Sequence, residues 1–220
     1  MESRARCERT ALLAAERSTG SAAVEREKQT LREAMAARRA ACSRAQRAAT
    51  GSAVAAHVLA LCEFASAHTV VLYAALADEV PLDAVADAVL ASDRILALPR
   101  MQGDRLRFAR VEQWRALVHG RFGILEPPGA APDAALDDGD LVLLPGVAFD
   151  AQGGRLGRGG GIYDRAIAAL GASPRLVGVG FGFQWVARVP MAAHDRRVDA
   201  FVCERGVTRC PRRDPPGDSS

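Results

Sequence analysis

The sequence predicts an α/β fold, a mostly parallel sheet flanked by helices in three layers. Short β-branched apolar runs such as "HTVVLYAAL" and "LVLLPG" read as strands buried on both faces. Helix-favouring segments separate them, so strands and helices alternate as in β-α-β units. A length of 220 residues, 49% hydrophobic and 25% charged, suffices for one core of good size. One domain over 24–207 follows, with a loose extension at 1–23 before it and a polar, Pro-rich, disordered tail at 208–220 after it.

The elements follow in order. The Ala-, Arg- and Glu-rich stretch from Val24 lacks Gly and Pro and favours helix until Thr50-Gly51-Ser52 breaks it. A second helix, "AVAAHVLALCEFA", leads into strand "HTVVLYAAL". Pro81 opens helix "PLDAVADAVLAS", since proline in a first turn loses no hydrogen bond. Strand "RILALP" and the half-exposed, alternating "RLRFARV" come next. The Pro/Gly/Asp loop from Glu126 to Asp140 precedes strand "LVLLPG", a glycine loop, helix "GIYDRAIAAL" and strands "RLVGVGF" and "VDAFVCE".

Composition narrows the function. The net charge is only +3, acids and bases are interspersed, and no basic run alternates with aromatics, which argues against a nucleic-acid binder. No apolar run approaches the roughly 20 residues of a membrane helix. The five cysteines are scattered, without a C-x-x-C pair, which points to a reducing compartment and away from zinc. A cytoplasmic location is the expectation, and a monomer is the expected state.

The stretch "GGRLGRGGGIYDR" carries the chemistry. It joins a buried strand to a helix, at the strand end where α/β sheets bind ligands. Glycines let backbone N–H groups approach a ligand, a helix start adds unpaired donors, and Arg155 and Arg158 add planar forks suited to phosphate oxygens. The other reading is a glycine-rich hairpin tip with solvated arginines. A Walker A loop is excluded, because the chain's single lysine is Lys28, far upstream. The dinucleotide pattern G-x-G-x-x-G fails as well, since Ile162 stands where its third glycine belongs.

The segment "LVLLPGVAFDAQGGRLGRGGGIYDR" resembles the signature of the 5-formyltetrahydrofolate cyclo-ligases, also called methenyltetrahydrofolate synthetases. "KQTLR", "LYAALADEV", "ILEP" and "FQWVARVPMAAHDRRVD" fall in that family's order, so the resemblance covers about Glu27 to Val207. It implies a sheet architecture like that of sugar-phosphate isomerases and CoA-transferases. It also implies conversion of 5-formyltetrahydrofolate to 5,10-methenyltetrahydrofolate with cleavage of MgATP. By the same resemblance Lys28, Arg32, Arg155, Leu156, Gly157, Arg158, Gly159, Gly160, Gly161, Ile162 and Tyr163 contact ATP. Glu79, with Arg158, Gly159, Gly160, Gly161, Ile162 and Tyr163, contacts the folate; Arg158 and Tyr163 act in catalysis; Asp164 and Asp195 lie near Mg²⁺.

The residue types suit those roles. Lys28 and Arg32 share a helix face at i, i+4, and a hard cation suits carboxylates. Each also has a plainer reading: a solvated basic face for Lys28 and Arg32, a favourable charge at a helix start for Glu79 and Asp164, a core tyrosine for Tyr163. Phe149 and Gln184 are expected to line the pocket, Trp114 and Trp185 to pack, and Asp199 to mark a strand boundary. Ile162 departs from a family position that often carries an aromatic, which leaves open a non-catalytic nucleotide- or folate-binding relative; a second rival, an isomerase or transferase of related architecture, would share the phosphate loop without needing ATP.

Overall fold

The computed structural model describes residues 22–120, 123–192 and 195–211. Helix α1 spans 22–40, followed by α2 (Arg44–Leu59) and α3 (Cys62–Ser66). The break between α1 and α2 falls at 41–43, not at Thr50-Gly51-Ser52. Ser43 causes it: its Oγ accepts the Gln46 N–H at 3.1 Å, and its own N–H donates to Gln46 Oε1 at 2.8 Å. This reciprocal cap starts a new helix. Gly51 then lies inside α2, where glycine costs about 1 kcal/mol relative to alanine. A Cβ there would sit 2.7 Å from Pro81 Cγ, so the close approach of α2 to the chain before α4 requires glycine.

The remaining elements are β1 (Thr69–Val71), α4 (Asp83–Leu90), β2 (Ile95–Gln102), β3 (Arg105–Arg110), β4 (Val118–His119), β5 (Leu125–Glu126) and β6 (Leu141–Pro145). After them come β7 (Ala148–Phe149), β8 (Arg155–Leu156), α5 (Ile162–Ala168), β9 (Arg175–Val179), β10 (Ala200–Cys203) and β11 (Gly206–Arg209). The main sheet has the order β11-β10-β9-β6-β1-β2-β3. Its four inner pairings are parallel, and hairpins add β3 and β11 antiparallel at the edges.

Alternation along the strands builds the three layers. Val70, Leu141, Leu143, Val177 and Val202 pack with Val54 and Val58 of α2 and Val85 and Val89 of α4. Their neighbours Val71, Val142, Leu144, Leu176 and Phe201 pack on the opposite face with Ala166 and Ile167 of α5. Met35 of α1 joins Val147, Ala148, Leu156 and Val189 in a smaller third cluster.

Both expected domain boundaries shift. The extension at 1–23 and the tail at 208–220 lie mostly outside the described residues, but 22 and 23 are already helical, as part of α1. At the other end β11 takes in Thr208 and Arg209, and Cys210 is buried. β10–β11 pairing makes this segment part of the sheet. No helix among the described residues is long and apolar enough to cross a membrane.

Arg209 of β11 also ties the sheet edge to α3 through a two-pronged bond to the Glu63 carboxylate. That bond holds Glu63 down to about 2, against an opposing push from burial. A lowered carboxylate stabilises the fold above its unfolded value, and the contribution is lost as pH falls through the folded one. Arg209 is half exposed, which screens the pair to about 0.5–1 kcal/mol. Glu63→Gln is therefore expected to lose about that much stability at pH 7 and only a small fraction of it at pH 2. Urea melts of both proteins at the two pH values check it; an equal loss at both would leave the ion pair without a role.

Candidate active site

Parallel β1, β6 and β9 are neighbours, so chain leaving their carboxyl ends meets at one edge of the sheet. Ligands bind α/β sheets there. After β6 the chain first makes a small β7–β8 hairpin. Asp150 closes it: Oδ1 accepts the N–H groups of Gln152 and Gly154 at 2.9 and 2.8 Å, and Oδ2 accepts that of Val189 at 2.7 Å. The glycine run begins only after this clamp. Gly159 has φ +108° and Gly161, at the start of α5, has φ +58°, conformations that a Cβ disfavours. Arg32 of α1 supports the run, its Nε donating to the Gly157 carbonyl at 3.1 Å.

Opposite the glycines lies the chain after β1. The Tyr73 hydroxyl donates to the Val80 carbonyl at 2.9 Å, which folds 74–79 across the strand ends. Between this segment, the glycine run and the β2–β3 hairpin is a cavity of about 190 Å³. Its walls are mainly apolar, with Leu76, Met101, Leu106 and Ile162, while Glu79 and Arg158 face it with charge. Tyr163 lines it too, its phenol pushed well up by burial and by the Glu79 carboxylate. The hydroxyl therefore stays protonated, a donor over the working pH range.

A model of the 5-formyltetrahydrofolate cyclo-ligase family matches residues 24–204. The chain belongs to the 5-formyltetrahydrofolate cyclo-ligase family. The cyclo-ligase of Mus musculus is 28% identical over 159 residues, which cover 67% of this chain and 78% of the relative. That of Mycolicibacterium smegmatis is 30% identical over 136 residues, covering 59% and 70%. The solved structure of the Aquifex aeolicus 5,10-methenyltetrahydrofolate synthetase aligns with a TM-score of 0.73 at 31% identity, over 88% of this chain and 99% of that one.

Set in this cyclo-ligase fold, the charges expected to meet ligands meet one another. Arg158 Nε and Nη2 donate to Glu79 Oε1 at 3.1 and 2.9 Å, joining the expected phosphate reader to the expected folate reader. Buried Arg155 places Nη2 at 2.9 and 3.0 Å from the two oxygens of Asp164 and gives Nη1 to the Pro145 carbonyl. Lys28, buried on α1, donates to Asp195 Oδ2 at 2.6 Å.

These pairings bear on magnesium. Asp164 also accepts the Arg196 N–H at 2.9 Å, so its two oxygens carry three hydrogen bonds. Asp195 Oδ2 takes the Ala192 N–H at 2.7 Å beside Lys28. Mg²⁺ bound through one or two carboxylates needs their oxygens open toward the phosphates. Asp164 and Asp195 serve here instead as counter-ions of Arg155 and Lys28, and the described residues gather no group of three His, Cys, Asp or Glu. The expected ligand pair does not fit the metal in this arrangement, and no magnesium ligand is assigned.

Other expectations change for packing reasons. Phe149 is fully buried, 4.6 Å from the Phe201 ring, and does not line the pocket. Gln184 is buried too, its Nε2 donating to the carbonyls of Gly146 and Val147, so it holds the chain after β6. As expected, Trp185 stacks on Phe201 and Trp114 packs against the first core cluster, where it also borders a second cavity beside 74–79. Asp199 does mark a strand boundary, accepting the Leu176 N–H at 2.9 Å.

Asp78 and Arg39 escape the sequence reading. Asp78 Oδ1 takes Arg158 Nη2 at 2.7 Å, and Oδ2 lies 3.3 Å from Nη2 of Arg39. Arg39 had a legible signal: with Lys28, Arg32 and Met35 it falls on one α1 face, and all four are buried or half-buried.

Proposed function

We propose that this chain catalyses the ATP-dependent cyclisation of 5-formyltetrahydrofolate to 5,10-methenyltetrahydrofolate, releasing ADP and phosphate. Family membership supports the reading. The observation that carries it is a phosphate-type arginine, Arg158, and a carboxylate, Glu79, facing one apolar cavity beside a glycine loop. A flat pterin needs apolar walls and an acceptor for its N–H groups; a triphosphate needs loop N–H groups and a mobile cation.

In the proposed reaction the formyl oxygen attacks the γ-phosphorus of ATP, an O–P bond forms, and ADP leaves. The oxygen has become a good leaving group. N10 then attacks the formyl carbon, phosphate departs with the former carbonyl oxygen, and loss of the N10 proton leaves the cationic methenyl ring. Arg158 would stabilise charge on the transferring phosphoryl group, Glu79 would orient the pterin, and Tyr163 would donate a hydrogen bond or stack beside it. Arg32 and the run from Gly157 to Ile162 would hold the nucleotide, with Lys28 behind them on α1 and the buried Arg155 and Leu156 supporting the loop from below. No covalent nucleophile is required; positioning and charge neutralisation suffice. A cytoplasmic monomer completes the proposal, with gel filtration to test its size.

The test is the absorbance of methenyltetrahydrofolate formed from 5-formyltetrahydrofolate, with and without ATP and magnesium. Product formation strictly dependent on ATP is expected. Binding without product would favour a non-catalytic relative, and turnover without ATP would favour an isomerase or transferase.

A further inference from the structure

Arg158 donates from Nε and Nη2 to two carboxylates at once, Glu79 and Asp78. The same donors cannot serve a phosphate while they serve Glu79 and Asp78. Behind Asp78 stands Arg39, 4% exposed, with one nitrogen 3.3 Å from Asp78 Oδ2. Its Nε and Nη1 are buried and have no hydrogen-bond partner. Buried donors left unsatisfied are costly and rare. Asp78 is the carboxylate beside them, and it is divided between two arginines whose like charges repel; burial and the charge of Arg158 both weigh against the Arg39 cation, burial more. Turning Asp78 wholly onto Arg39 would let its carboxylate fork Nη2 together with one of the two orphaned donors, and it requires Arg158 to leave.

We propose that Asp78 and Arg39 are positioning residues that form a latch for Arg158, and that release of this latch couples nucleotide binding to folate binding. The inference rests on the function proposed above. When a phosphate draws Arg158 away, Asp78 closes onto Arg39 and Glu79 loses its guanidinium partner. Glu79 is then open to the N–H groups of the pterin. Whichever ligand arrives first breaks the Arg158 bonds, and the second binds without breaking them again. Each ligand therefore tightens the other by the same factor, as linkage demands.

Calorimetry of a non-hydrolysable ATP analogue and of 5-formyltetrahydrofolate, each alone and in the presence of the other, tests the latch. Wild type is expected to show mutual tightening of about 5- to 20-fold. Asp78→Asn keeps the shape but weakens the hold on Arg158, so the analogue alone should bind about 3- to 10-fold tighter and the mutual tightening should shrink. Because Asp78→Asn leaves Arg39 buried without a counter-ion, the double variant Arg39→Gln/Asp78→Asn is measured beside it. That protein removes both charges together and should show the same tighter binding and reduced coupling. A purely structural pair would move melting temperatures and leave the coupling factor at its wild-type value. Unchanged or weaker binding of the analogue alone, in whichever variant melts near wild type, overturns the latch. Failure of wild type to bind or convert the folate would instead remove the proposed function, and the analogue titrations would still decide the latch.

Discussion

Arg158→Ala is expected to reduce turnover by about 10²-fold or more while the protein keeps its fold. Removing one preorganised donor from a developing phosphoryl charge typically costs about 3 kcal/mol of transition-state stabilisation. The fold loses far less. The Arg158 side chain is 45% exposed, and half-exposed pairs such as its bonds to Asp78 and Glu79 contribute at most about 1 kcal/mol. The kinetic signature is a split between kcat and KM. Deleting Arg158 also removes the partner that occupies Glu79, so KM for the folate should stay level or fall while kcat collapses. Steady-state kinetics and a melting curve on one preparation check this. Turnover within a few-fold of wild type would take Arg158 out of the chemistry, and a rise in folate KM alone would make it a substrate contact only.

The layered sheet was legible because its inner strands are pure apolar runs. Leu141 to Leu144 and Ala200 to Cys203 are buried on both faces, a pattern that only a covered parallel strand explains. Short elements carried no such signal. β7 and β8 have two residues each, too few for a period, and the side chain of Asp150 closes the turn between them. The α1–α2 break was misplaced because Gly51 looked like punctuation. It is a contact residue against Pro81, and the true stop is the Ser43–Gln46 cap.

At the site, sequence identified the chemistry of the groups but not their partners. Arg158, Glu79 and Tyr163 do converge on one cavity. Residue type and spacing cannot tell a carboxylate that waits for a cation in solution from one that already neutralises a buried arginine, since both roles ask for the same side chain. Lys28 with Asp195 and Arg155 with Asp164 are separated by long stretches of chain or by the glycine run, and only the fold reveals that each pair closes. Arg39 shows the reverse case, a cation on the buried face of α1 whose period was readable but whose need for Asp78 was not.

Asp164→Asn separates these two roles by experiment. The Arg155 side chain is 2% exposed and that of Asp164 11%, so the pair is effectively desolvated. Removing one charge from such a pair strands the other, at a typical cost of about 3–5 kcal/mol. Asparagine retains one acceptor oxygen, but its amide would turn a donor toward either the Arg155 guanidinium or the Arg196 N–H. For a domain of this size each kcal/mol moves the melting temperature by roughly 2–4 °C, so a fall of about 10 °C is expected. Arg155 also anchors the Pro145 carbonyl at the end of β6, and loosening it should misplace the glycine run and lower turnover. That loss should not respond to magnesium, because the missing charge neutralised an arginine rather than a cation from solution. The magnesium-ligand reading predicts the opposite pattern, a melting temperature near wild type and turnover recovered in excess Mg²⁺. Melting curves and a magnesium titration on the same preparation decide between them, and recovery by magnesium would return Asp164 to the metal.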